Sequence, residues 1–143
     1  MTTRLEVPGG HIPVDVTGDP NGARATLVLG NGAGASLDSD FMSFFAQRLG
    51  GSGMAVVRFD FLYQDAGRKV PDKQPVLERT YAALVDHLSS NLEMKRLVIG
   101  GKSMGGRIAS HVAIEHHVDG LVLLGYPLHP PGRPDRMRDA HLK

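Results

Sequence analysis

One short stretch limits what this chain can fold into. Leu97-Val98-Ile99 is an apolar run that stops at Gly100-Gly101-Lys102-Ser103-Met104-Gly105-Gly106, and a helical pattern of apolar residues follows at once. Gly101 to Gly105 fits G-x-S-x-G, a strand–turn–helix elbow that lifts a nucleophilic serine above the end of a sheet. Such a turn strains the serine backbone, and side chains two residues to either side would crowd it, so Gly101 and Gly105 have a physical role. A phosphate loop is the first competing reading. It needs a glycine five residues before its Gly-Lys pair, where this chain has Arg96. The second competitor is an ordinary strand–helix turn in which Ser103 only caps the helix.

The rest of the chain repeats the theme. Leu5 to Val7 and His11 to Val16 read as two short strands around the Pro8-Gly9-Gly10 turn, with Pro13 suited to a sheet edge. Ala25 to Leu29, Met54 to Phe59, Arg96 to Gly100 and Leu121 to Leu124 are continuous apolar runs, as in strands buried on both faces. Between them, Leu37, Phe41, Phe44, Phe45 and Leu49 recur at helical spacing, with Ser36 or Asp38 as cap and Gly50 as stop. Val76, Leu77, Tyr81, Leu84, Val85 and Leu88 mark a second helix, and Met104, Ile108, Ala109, Val112 and Ala113 a third. Residues 60–74 have no clear period and read as a surface excursion. Arg58 and Asp60, at the end of a strand, suggest a structural ion pair. The alternation predicts a mostly parallel, doubly wound α/β sheet in a single domain over residues 1–143, ending in a Pro-rich tail over 127–143.

Composition narrows the chemistry. The 143 residues suffice for one domain that buries about two-thirds of its unfolded surface. A net charge of +1 makes no electrostatic case for nucleic acid. The chain has no cysteine, which removes disulfides, thiolate metal sites and cysteine nucleophiles. No run approaches the roughly 20 apolar residues of a membrane span, and no signal peptide is read at the N-terminus. The expected location is cytoplasmic, and neither a metal nor a cofactor is expected.

A serine nucleophile needs oxyanion donors and a base. The donors expected are the backbone N–H of Met104, next to the serine, and one from Gly30 to Ala35, with Ala33 first and Gly32 second. The competing reading is a Gly-rich turn that binds nothing. The base is harder to find. His111, His116 and His117 lie on or just past the helix that leaves the elbow; His116-His117 suits a helix C-terminus. His129, His141, Asp135 and Asp139 sit in the tail, with no strand before them to hold them in place. Lys102 reads as an exposed elbow residue.

Residues 27–34, 58–63, 100–106 and 125–132 together resemble the small α/β-hydrolase-like proteins grouped with dienelactone hydrolases, which include the testis-expressed and NSL-complex-subunit hydrolase-like proteins. The resemblance implies an α/β-hydrolase fold, Ser103 as nucleophile and an oxyanion loop after Leu29. Asn31 stands where many relatives have His. In that fold two further strands carry the acid and the histidine, so the resemblance also implies a sheet lacking its last two strands, a C-terminally truncated domain. Leu121 to Leu124 would then be an exposed edge open to self-association. Three functional readings follow. One is a serine hydrolase acting on a small-molecule carboxylic ester or thioester, inactive in this chain for want of its Asp and His. The second is a non-catalytic interaction module that docks through the bare edge, and the third a truncated product without function of its own.

Overall fold

The computed structural model describes residues 1–143. Six strands form one sheet: β1 (Thr2–Val7), β2 (Gly10–Thr17), β3 (Thr26–Gly30), β4 (Ala55–Phe59), β5 (Leu97–Lys102) and β6 (Gly120–Leu124). Their spatial order is β1-β2-β4-β3-β5-β6. β1 and β2 pair antiparallel, as do β2 and β4, while β4, β3, β5 and β6 run parallel. Helices α1 (Asp40–Gly50), α2 (Leu62–Asp65), α3 (Gln74–Asn91) and α4 (Met104–Glu115) fill the connections, and a short 3₁₀ turn spans Ala140–Leu142. The central strands β3 and β4 are buried along their whole length, which explains their unbroken apolar runs. Residue parity then divides the core. Val28, Val57, Phe59 and Ile99 face α3 and α4, whereas Leu27, Leu29 and Val56 face α1.

Several expectations are corrected. Pro13 is not on an edge strand: β2 lies between β1 and β4. Val16 exchanges its backbone bonds with Met1, so residues of the opposite parity, Pro13 among them, face β4. Pro13 falls just past the last β2–β4 pair, Val14 with Phe59, where the missing N–H interrupts no ladder bond. The cap of α1 is Ser39, whose hydroxyl accepts from the Met42 N–H, rather than Ser36 or Asp38. Phe44 points away from the sheet and Met42 and Ala46 take the buried positions, so the helix is turned from the face the phenylalanines suggested.

Arg58 does not pair with Asp60. It lies opposite Asp15 in the β2–β4 register and bonds it at 2.6 Å, and its other terminal nitrogen donates to the Leu37 carbonyl. Burial alone would raise the Asp15 pKa, but hydrogen bonds from Thr2 and Arg58 outweigh it and hold the carboxyl below its ordinary value.

Residues 60–74 are not simply a surface excursion. Phe61 and Tyr63 are fully buried, and Phe61 packs edge-on against Phe59 in the core. The exposed part of this segment is limited to residues 65–70 and a few positions beyond. The tail is also held. The Arg138 N–H donates to Leu128 O at 2.6 Å, and the Tyr126 hydroxyl donates to Arg138 O at 2.6 Å, closing residues 126–138 into a compact turn. His141 then docks on α4, with Nε2 2.7 Å from Ser110 Oγ and its ring stacked 3.7 Å from that of His111. No helix is long and apolar enough to cross a membrane.

Candidate active site

β5 runs through Gly100 and Gly101 to Lys102, the chain turns at Ser103, and α4 starts at Met104. Ser103 has φ 54° and ψ −117°, the only positive φ outside glycine. A residue held there costs about 1–3 kcal/mol, so the surroundings must enforce it. They do so by close packing. A Cβ on Gly105 would overlap the backbone of Gly30, and one on Gly101 would overlap Gly30 O and the start of α4. Glycine at both positions lets α4 lie directly against the ends of β3 and β5. From the other side, the Ser103 N–H donates to Leu124 O at 2.9 Å, tying the turn to β6. The Ser103 hydroxyl makes no capping bond although the residue occupies the N-cap position, so the cap-only reading does not describe this serine. Met104 is the first residue of the helix, where backbone N–H groups have no intrahelical acceptor.

The loop after β3 lies beside the elbow. A Cβ on Gly32 would stand 3.7 Å from Ser103 Cβ, and Ala33 lines the same cleft as Ser103. This loop is braced from α2, whose part the sequence did not reveal. The Tyr63 hydroxyl donates to Ala33 O at 2.8 Å, and the Gln64 amide donates to Gly32 O at 3.1 Å and Ala35 O at 3.0 Å. Burial pushes the Tyr63 hydroxyl up to about 12, so it stays a donor at neutral pH. Asp60 secures the loop ends, its Oδ1 accepting from Asn31 Nδ2 at 3.1 Å and from the Leu37 N–H at 2.8 Å. Burial raises the Asp60 pKa. Asn31 is fully buried and also donates to Phe59 O, so it supports the loop from beneath.

The cleft over Ser103 has a volume of about 450 Å³. Pro127, Pro131 and Arg138 of the C-terminal segment form one wall; Asp72, Gln74 and Arg107 form another. No histidine lines it. His111 and His141 stack on each other farther along α4, and His116 caps that helix and lies 3.5 Å from Asp86. His129 is exposed. Lys102 is exposed too, its ammonium 4.3 Å from the Phe41 ring centroid. Among the His, Asp and Glu side chains, no group of three is placed to hold a metal ion.

A family model described as an alpha/beta hydrolase domain matches residues 23–143. The chain belongs to the α/β-hydrolase family. Solved structures of this hydrolase type share its fold. An alpha-beta serine hydrolase homologue from Coxiella burnetii superposes with a TM-score of 0.73 at 17% identity, over 86% of this chain and 61% of that one. A dienelactone hydrolase from Anabaena variabilis gives 0.73 at 21% identity, over 86% and 60%. A serine hydrolase without lid from Xanthomonas campestris gives 0.69 at 17%, over 88% and 68%. This α/β-hydrolase chain thus spans about three-fifths of the length of the first two.

Proposed function

We propose that this chain carries the nucleophile half of a serine hydrolase for small-molecule carboxylic esters or thioesters. Ser103 is the nucleophile, Gly101 and Gly105 form its elbow, and the Met104 and Ala33 backbone N–H groups receive the oxyanion. The observation that carries the reading is the positive φ of Ser103 within glycine-only packing, its hydroxyl free of any capping role. Such strain is sustained where function needs the geometry. The cleft offers no histidine as base, so the 143-residue chain by itself is expected to turn over esters feebly or not at all. The acid and histidine would come from two further strands in a longer protein.

A fluorophosphonate probe tests this. We expect little labelling of the 143-residue chain. Ser103 should label in a version extended by two such strands, and that labelling should vanish in Ser103→Ala. In the extended version Ala33→Pro, which removes one oxyanion donor, should slow labelling by about 10²-fold. Absence of labelling in both versions would sink the nucleophile assignment.

That outcome would favour the second reading, a non-catalytic interaction module. Its supporting observation is the edge position of β6, with Leu121 37% exposed. A concentration-dependent increase in solution mass would support self-association through this edge, and a stable monomer would oppose it.

A further inference from the structure

Two arginines without a carboxylate partner line the cleft over Ser103. The arginines that pair with carboxylates are Arg4, Arg58, Arg68 and Arg133. Arg107 and Arg138, which both line the cleft, are absent from that set. Arg107 donates to a neutral partner, Gln74 Oε1, at 2.8 Å, and its Nε is buried without any acceptor. Asp72 is the only carboxylate in the lining; its Oδ1 pairs with Arg68 at 2.9 Å, and its Oδ2 is buried without a donor. Burial, and then the nearby positive charge of Arg138, disfavour the charged form of Arg107; Glu78 acts the other way without forming an ion pair. Two guanidinium groups therefore share one cleft whose lining, Asp72 included, carries a net charge of about +1.

The backbones of both arginines are fixed in place. Arg107 lies one helical turn beyond Ser103, its N–H donating to Ser103 O at 3.0 Å, and four residues of helix rise about 6 Å. Arg138 is held through its own backbone, by the bonds to Leu128 O and from the Tyr126 hydroxyl. Pro127 and Pro131 stiffen the wall beside it. Both guanidinium groups line the cleft that holds Ser103, and a ligand with several anionic oxygens can engage both at once. A phosphate monoester carries about −1.5 to −2 charge near neutral pH and offers oxygens to several guanidinium N–H groups at once.

We propose that the cleft takes an ester or thioester whose far end bears a phosphate monoester, held between Arg107 and Arg138 several bonds from the carbonyl that Ser103 attacks. The inference rests on the nucleophile reading for the word ester, while the phosphate site stands on the arginines alone. Calorimetric titration of the 143-residue chain with phenyl phosphate, benzoate and phenol tests the site without any turnover. Phenyl phosphate should bind about tenfold tighter than benzoate, with phenol weaker still, and should weaken as salt rises from about 0.05 to 0.5 M. Arg107→Gln and Arg138→Gln should each cost about tenfold. Arg138→Gln lies in the C-terminal segment outside the core, so it tests the site even if Arg107→Gln impairs folding. Equal binding of benzoate and phenyl phosphate, or binding unmoved by Arg138→Gln, would overturn the proposal. In the extended, labelling-competent chain, phenyl phosphate should also slow fluorophosphonate labelling of Ser103. Labelling without protection or phosphate binding overturns the phosphate site and spares the nucleophile; phosphate binding without labelling in either version does the reverse.

Discussion

The two faces of the sheet are built unequally. The face carrying α3 and α4 holds a continuous cluster of nineteen buried apolar residues, and the face carrying α1 holds five. On the larger side the helix packing is tight enough to govern backbone geometry. Tyr81, fully buried, places its hydroxyl 2.7 Å from Gly100 O and 3.0 Å from Val28 O while accepting the Gly100 N–H, so it bridges β3 and β5 just below the elbow. Burial raises its pKa, which keeps it a neutral donor. On the smaller side α1 leaves Phe44 57% exposed, and Phe41 and Phe45 only partly covered. The difference locates the strained serine. Its backbone is held by the face with the rigid, extensive core, where the cost of a positive φ is offset by many contacts.

The comparison can be broken at the helix–sheet contact. Gly105→Ala would drive a Cβ into the Gly30 backbone, which has no flexible end to yield. We expect a loss of about 3 kcal/mol or more in urea unfolding, whereas Gly34→Ala, with nothing within 4 Å, should stay within about 0.5 kcal/mol. If both changes are equally mild, the elbow is not enforced by packing. Next in size, Tyr81→Phe should cost about 1 kcal/mol by removing the buried hydroxyl that bridges Val28 O and Gly100 O, while Phe44→Ala on the opposite face should be nearly silent.

A subtler contrast lies between two buried aspartates. Asp15 has a lowered pKa, so its contribution is present above its unfolded value of about 3.9 and is lost as pH falls through the lower folded one. Asp60 has a raised pKa, so the folded state takes up its proton first as pH falls, and its ionisation opposes folding at neutral pH. Unfolding midpoints followed from pH 7 down to pH 2 should show the deficit of Asp15→Asn closing below about pH 4. A deficit constant across that range would mean that the carboxylate charge is not what Arg58 requires.

How far the sequence could be read varies along the chain. The helices at 76–88 and 104–113 were legible because each buries one stripe against the sheet, and a stripe leaves a 3.6-residue period. The central strands were legible as unbroken apolar runs. The segment 60–74 was not, because α2 is four residues long and its task is to brace a loop, which leaves no period to detect. Arg58 was misassigned because its partner Asp15 is 43 residues away and becomes a neighbour only through the β2–β4 register.

The elbow divides in the same way. Local chemistry alone determined that residues 101–105 form a glycine-framed turn between strand and helix, since only glycine tolerates such close backbone approach. It also determined the alternation that yields an α/β sheet. Only the tertiary structure decided that Tyr63 and Gln64 hold the Ala33 loop, that the Pro-rich segment folds back over the cleft, and that Arg107 and Arg138 meet there. Those contacts join residues some 30 positions apart, and their geometry follows from how the strands and helices pack, which no local pattern encodes.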